Sequence, residues 1–187
     1  MDERKWIERI LAGDTQSFSC LVAKYEKMAY TIALRILGNR EEAEEAVQDA
    51  FVKMYRALSD FHFDSKFSTW FYRIVYRTAL TALRQQRMFV SYEEAGPVDL
   101  SNDEVESATA LLEREDRKEM IARTLKKLPA DEALLLTLYY LEECSVEEIC
   151  QITELSASNV KVKLFRGRKR FYEVLQDKMK LETADLL

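Results

Sequence analysis

Phe18, Val22, Tyr25, Ala29, Ile32 and Ile36 recur at spacings of three and four, the period of one face of a helix. They predict a helix that opens behind Asp14 as its N-cap and closes at Gly38. Asn39 with Glu42 three residues on resembles a capping box, and Glu41, Glu42, Glu44 and Glu45 crowd the positive end of the next helix dipole. At about 100° per residue, Ala43, Val47, Ala50, Phe51, Met54 and Leu58 fall on one face of that helix. Glu41, Glu45, Gln48, Asp49, Val52 and Arg56 fall on the other. Val52 is therefore an apolar residue inside a polar face, which is either a scattered surface valine or part of a partner-binding surface.

The pattern from about Ser68 to Arg87 predicts a longer helix with Phe71, Ile74, Val75, Thr78 and Ala82 inward. Arg73, Arg77, Arg84 and Arg87 share one stripe about 80° wide on the far side. No carboxylate lies between Lys66 and Glu93, so the stripe has no partner on its own helix, and a polyanion is the economical one. Phe61, His62, Phe63, Lys66, Phe67 and Trp70 precede or open this helix, and aromatics beside cations suit the stacking of unpaired bases. Taken singly, Trp70 and Phe71 are better explained as core.

After Leu128-Pro129, a helix at about 131–141, a short one at 145–153 and a long one from about 156 to 177 fit a helix-turn-helix, although the turn lacks glycine. On the last helix Val160, Leu164, Phe171, Val174 and Leu175 gather on one side. Asn159, Val162, Lys163, Arg166, Lys169 and Arg170 gather opposite. Lys161 to Arg170 holds six basic residues and no acidic one, a composition able to grip phosphates and reach base edges.

Composition sharpens this picture. Only 4 Gly and 2 Pro occur in 187 residues, which points to an all-α fold. The net charge of −5 argues against nucleic acid until it is divided along the chain. Residues 1–90 carry 14 basic and 12 acidic groups, 91–117 carry 2 and 9, and 118–187 carry 12 and 12. The acidity thus belongs to a Pro/Gly/Ser-containing middle that reads as a flexible linker between two small helical domains, 1–90 and 118–187. Cys20, Cys144 and Cys150 match no disulfide or zinc spacing and, with His62 the single histidine, read as reduced core thiols of a cytoplasmic protein. No apolar run is long enough for a membrane span or a signal peptide, and no nucleotide loop, metal cluster or nucleophile motif suggests an enzyme, a cofactor or a small-molecule substrate.

These motifs together resemble the extracytoplasmic-function, or group IV, sigma factors of bacterial RNA polymerase. Ala43-Glu-Glu-Ala-Val-Gln-Asp-Ala-Phe51 is similar to region 2.2 of that family, Phe67-Ser-Thr-Trp-Phe-Tyr-Arg-Ile74 to regions 2.3 and 2.4, and Asn159-Val-Lys-Val-Lys-Leu-Phe-Arg-Gly-Arg168 to the recognition helix of region 4.2. The resemblance runs in order from about Arg9 to Leu175. It implies a region 2 bundle over 1–90 that binds core polymerase and melts the −10 element, an acidic linker over 91–117, and a region 4 helix-turn-helix over 118–187 that reads the −35 element.

By the same resemblance, Glu45, Gln48, Asp49, Val52 and Arg56 meet the β′ clamp helices, and region 4 meets the β flap. Phe61, Phe63, Lys66, Phe67, Trp70, Arg73, Arg77, Arg84 and Arg87 serve the −10 strand. Ser158, Asn159, Lys161, Lys163, Phe165 and Arg166 read the −35 duplex, and Arg168, Lys169 and Arg170 add sequence-independent attraction. The linker acids Glu93, Glu94, Asp99, Asp103, Glu104 and Glu106 either mimic a phosphate backbone in the polymerase cleft or simply keep the tether extended. An anti-sigma factor, often membrane-anchored, is a further implied partner. Arg77 stands where many members have asparagine, and Val162 and Lys163 replace a small polar residue and arginine, so promoter preference is left open. The competing reading is a two-domain regulator that binds operator DNA as a dimer. The arginine stripe and aromatic loop argue against it, since a sensor domain needs neither.

Overall fold

A computed structural model describes the backbone of residues 3–90 and 112–184 and the side chains of residues 3–86 and 119–177. Arg87's side chain and the acids from Glu93 to Glu106 lie outside the described residues. All regular structure among the described residues is helical.

The first unit contains α1 (Glu3–Leu11), α2 (Gln16–Leu37), α3 (Arg40–Arg56), a 3-10 turn at Leu58–Asp60 and α4 (Phe67–Val90). Asp14 caps α2 from two residues before its start. One carboxylate oxygen accepts the amides of Gln16 at 3.0 Å and Ser17 at 3.4 Å, and the other accepts the Ser17 hydroxyl at 2.9 Å. Gly38 ends the helix at φ 72°, where a side chain is disfavoured, and its amide donates to the Leu34 carbonyl. Asn39 caps α3 by accepting the Glu42 amide at 3.1 Å. The reciprocal half of the box is missing, because the Glu42 carboxylate instead accepts from Gln86 on α4.

Helix α2 packs against α1, α3 and α4, so it is buried over a broader arc than one stripe. Leu21, Tyr25, Met28, Ala29, Ile32 and Ala33 are inside, while Phe18, Val22 and Ile36 are only half-buried. The α3 pattern holds: Ala43, Val47, Ala50, Phe51, Met54 and, just beyond, Leu58 are buried. This core is aromatic. Phe71 has no exposed surface and touches the rings of Tyr25 and Phe51 at centroid distances of 5.9 and 4.8 Å. Burying a ring of this size contributes about 1.5–3 kcal/mol. Helix α1 escaped the reading of the sequence, although Ile7 and Ile10 on it are core residues.

The second unit contains α5 (Leu112–Lys126), α6 (Ala130–Tyr140) and α8 (Ala157–Ala184). Helix α5 begins inside the stretch read as linker. Helix α6 is buried from Glu132 to Leu138, so its four leucines form an aliphatic core with Leu125, Val160 and Leu164. Gly167 faces α6, and a Cβ there would lie 3.2 Å from Leu136 Cδ1 and 3.3 Å from Glu132 Cβ. The absent side chain is what lets α8 come this close.

Between α6 and α8 lies α7 (Val146–Thr153), and residues Glu147–Leu155 cluster with the first unit. The turn into α8 is made without glycine because Glu154 itself adopts φ 63°. Ser156 then caps α8, its hydroxyl accepting the Asn159 amide at 3.3 Å. Of the three cysteines only Cys144 is a core thiol. Cys150 is half-buried and Cys20 is exposed, on the outer side of α2.

Candidate nucleic-acid interface

The loop from Phe61 to Lys66 is laid on an aromatic floor. Phe61 lies 5.1 Å from Trp70 and 5.4 Å from Phe67, ring centre to ring centre, and Phe67 lies 5.6 Å from Trp70. Phe61 and Phe67 are buried, so the structure corrects the expectation that they offer faces to bases; the core of the first unit claims them. Trp70 is half-buried, and Phe63 remains accessible. Phe63 is 40% exposed, stands at φ 61°, which is uncommon for a bulky side chain, and carries the Arg4 guanidinium 4.9 Å from its ring centre. Arg4 on α1 is a cation the sequence reading did not place here.

On α4, Arg73, Arg77 and Arg84 are exposed along one side, while Phe71, Tyr72, Val75, Thr78 and Ala79 face inward. Within the first unit Arg73 and Arg77 both donate to the Glu154 carboxylate, Arg73 at 3.3 Å. The hydrogen bond from Arg77, joined by that from Arg73, holds the Glu154 carboxyl below its ordinary value. Lys66 pairs with Glu148 at 3.0 Å, and the Thr69 hydroxyl donates to the same carboxylate at 3.4 Å. The stripe that lacks carboxylates on its own helix therefore does attract them from elsewhere in the chain.

Helix α3 presents Glu45, Gln48, Asp49, Val52 and Arg56, all exposed. Val52 is 47% exposed, and Tyr55 beside it, 46% exposed, extends the apolar spot. Tyr55 was missed by sequence reasoning. Its position three residues after Val52 was the available signal.

On α8, Ser158, Asn159, Lys161, Phe165, Arg166, Arg168 and Lys169 are exposed. Phe165 is 63% exposed, unusual for so large a ring. Two cations expected on the reading face are turned toward α6. Lys163 donates to Asp131, and Arg170 lies 3.5 Å from the buried Glu132 carboxylate. Partial burial raises the Asp131 carboxyl, but the Lys163 ammonium outweighs it, and the group sits below its ordinary value. The helical wheel explains the outcome: both cations lie at the margin between the exposed side and the α6 seam, where acids on α6 can reach them. Arg168 is drawn aside more weakly, donating to the Tyr140 hydroxyl at 3.4 Å.

Among the described residues no cluster of His, Cys, Asp and Glu could hold a metal ion, and no helix is long and apolar enough to cross a membrane. Residues 21–88 match the family model of sigma-70 region 2, and residues 118–171 match that of sigma-70 region 4. The chain is 32% identical to the RNA polymerase sigma-H factor of Pseudomonas aeruginosa, over 93% of this chain and 94% of that one. It is 31% identical to the ECF RNA polymerase sigma-E factor of Escherichia coli, over 87% and 88% respectively. Its fold is similar to that of the sigma factor RpoE in complex with the anti-sigma factor NepR from Bartonella quintana. That likeness has a TM-score of 0.67 at 18% identity and covers 87% of this chain and 98% of the other. A helical first unit with an arginine-lined helix, a second with a basic helix behind a tight turn, and relatives matched along nearly their whole length lead to one conclusion: the chain belongs to the extracytoplasmic-function group of the sigma-70 family, the subunits that direct RNA polymerase to promoters.

Proposed function

We propose that this sigma factor engages core RNA polymerase through the exposed face of α3, with Val52 as its apolar centre and Glu45, Gln48, Asp49 and Arg56 around it. The observation that carries the reading is Val52 itself, an exposed branched side chain ringed by charge, the arrangement of a small interface core with a polar rim. The β′ clamp helices are the partner for this face, and the β flap is the partner for the second domain.

The −10 strand is held by Arg73, Arg77, Arg84 and Arg87, with Phe63 and the half-buried Trp70 as the stacking surfaces and Lys66 as a neighbouring cation. Extruding a base costs a few kcal/mol, which stacking at about 1–3 kcal/mol per base and phosphate contacts offset. The −35 duplex is read by Ser158, Asn159, Lys161, Phe165 and Arg166, with Arg168 and Lys169 adding attraction to phosphates. Lys163 and Arg170 join only if they leave Asp131 and Glu132.

The domains run over 1–90 and 118–187, with the first helix of the second already begun at Leu112, and the acidic stretch between them suits a basic nucleic-acid channel. The protein works in the cytoplasm, contributes recognition and no catalysis of its own, and is held in check by an anti-sigma factor, as RpoE is bound by NepR. Co-migration of the purified chain with core polymerase on a sizing column, with and without Val52→Asp, tests the contact. Co-migration lost in the variant, with helicity unchanged, supports the α3 face. Co-migration that survives the change moves the contact elsewhere, and none with the unaltered chain removes the proposal.

A further inference from the structure

Val162 has no place in the hydrogen-bonding and phosphate contacts just proposed, yet it is 44% exposed on α8. Val160, Leu164 and Gly167 mark the side of this helix that faces its own unit. At about 100° per residue, the direction opposite their mean lies within about 20° of Val162. Lys169, two turns on, and Ser158 lie about 20° and 40° to one side of it. Arg166, Asn159 and Phe165 follow at about 40° to 60°. Val162 thus lies on the crest of the face that projects away from the domain. A helix laid in a major groove from this side places its crest deepest, against the base-pair edges, and its flanks against the backbone.

A valine at the crest can neither donate nor accept a hydrogen bond. Buried against amino or carbonyl edges, it would leave those groups without water and without a partner, which is costly. The one apolar group displayed in the major groove is the C5 methyl of thymine. Six cations and no anion between Lys161 and Arg170 fit the helix to DNA rather than to an apolar protein partner. We infer that Val162 is a specificity-determining residue that packs on a thymine methyl in the −35 element. The −35 sequence recognised by this protein therefore contains a thymine, on either strand, opposite the crest of α8.

The inference rests on α8 reading the −35 duplex, and its test separates the two. The full chain, assembled with core polymerase, selects upstream duplexes from a pool randomised around −35. Each thymine of the selected site is then replaced singly by deoxyuridine, which removes the methyl group and leaves base pairing intact. One thymine should lose about fourfold in affinity, the worth of one buried methyl-sized group. Val162→Ala, at a position 44% exposed, should abolish that penalty at that thymine and at no other. A selected site in which no thymine responds, or a response that Val162→Ala leaves in place, overturns the inference while the −35 reading stands. A pool that yields no preferred site, with Arg166→Ala leaving affinity unchanged, overturns both.

Discussion

Two helices of this protein carry a cationic face, and they are built on different foundations. Helix α4 sets its arginines on an aromatic core and beside a loop that leaves Phe63 exposed and Trp70 half-buried. Helix α8 sets its cations on an aliphatic core of leucines and valine, and presents hydroxyl, amide and apolar side chains between them. Charge alone would make both helices generic polyanion binders. The accessible rings suit unpaired bases on α4, and the mixed polar and apolar crest suits the edges of paired bases on α8.

Charge reversal on α4 is the strongest way to separate the two. Arg84→Glu should lower promoter opening tenfold or more, since a hydrogen bond to a charged group is worth about 1.5–3 kcal/mol and reversal adds repulsion. Permanganate reactivity of −10 thymines reads this directly. Recognition of the −35 duplex and binding to core polymerase should be unchanged, and equal loss of all three would erase the distinction between the helices.

A smaller effect is expected from Gly167→Ala. The added methyl group must push Leu136 or the Glu132 stem aside, an overpacking of about 1–3 kcal/mol set against the roughly 1 kcal/mol that alanine gains over glycine inside a helix, so a small net loss is expected. Both tryptophans, Trp6 and Trp70, belong to the first unit, so the variant should lower the thermal transition seen by helical circular dichroism and leave the tryptophan fluorescence transition in place. Coincident shifts of both signals would mean that the two cores melt as one.

The smallest effect belongs to the cap of α2. The Ser17 hydroxyl's hydrogen bond outweighs partial desolvation and, with Arg9 and the Gln16 and Ser17 amides, holds the Asp14 carboxyl below its ordinary value. Its contribution is therefore complete above the unfolded value of about 3.9 and is lost as pH falls through the lower folded value. Asp14→Asn should lower the tryptophan-detected transition slightly at pH 7, and the gap to the unaltered protein should close below about pH 4. A gap that persists at lower pH would assign the role to shape instead of charge.

Helix ends and the amphipathic α3 were legible because each is settled within a few residues. Gly38 and Asn39 act through their own backbone and side chain, and α3 touches its neighbours along a single stripe. Helix α2 was harder, since a periodicity names one face and this helix has neighbours on three sides. The burial of Phe61 and Phe67 was invisible for a related reason: an aromatic cluster serves as core or as stacking surface according to which ring is outermost. Lys163 and Arg170 sit where the sequence pattern allows either solvent or α6, and Asp131 and Glu132, more than thirty residues away, decide for α6. The turn before α8 looked weak for want of glycine, but Glu154 takes the left-handed conformation itself.

Gly167 bears on more than packing. It never faces the groove, yet the seat it makes on Leu136 fixes how α8 is turned about its long axis, and a turn of one residue's worth would bring different side chains to the crest. If α8 reads the −35 duplex as proposed, the alphabet it reads is chosen partly from behind, by a residue with no side chain. Changes along the α6 seam offer a route to altered promoter choice that leaves every DNA-facing residue as it is.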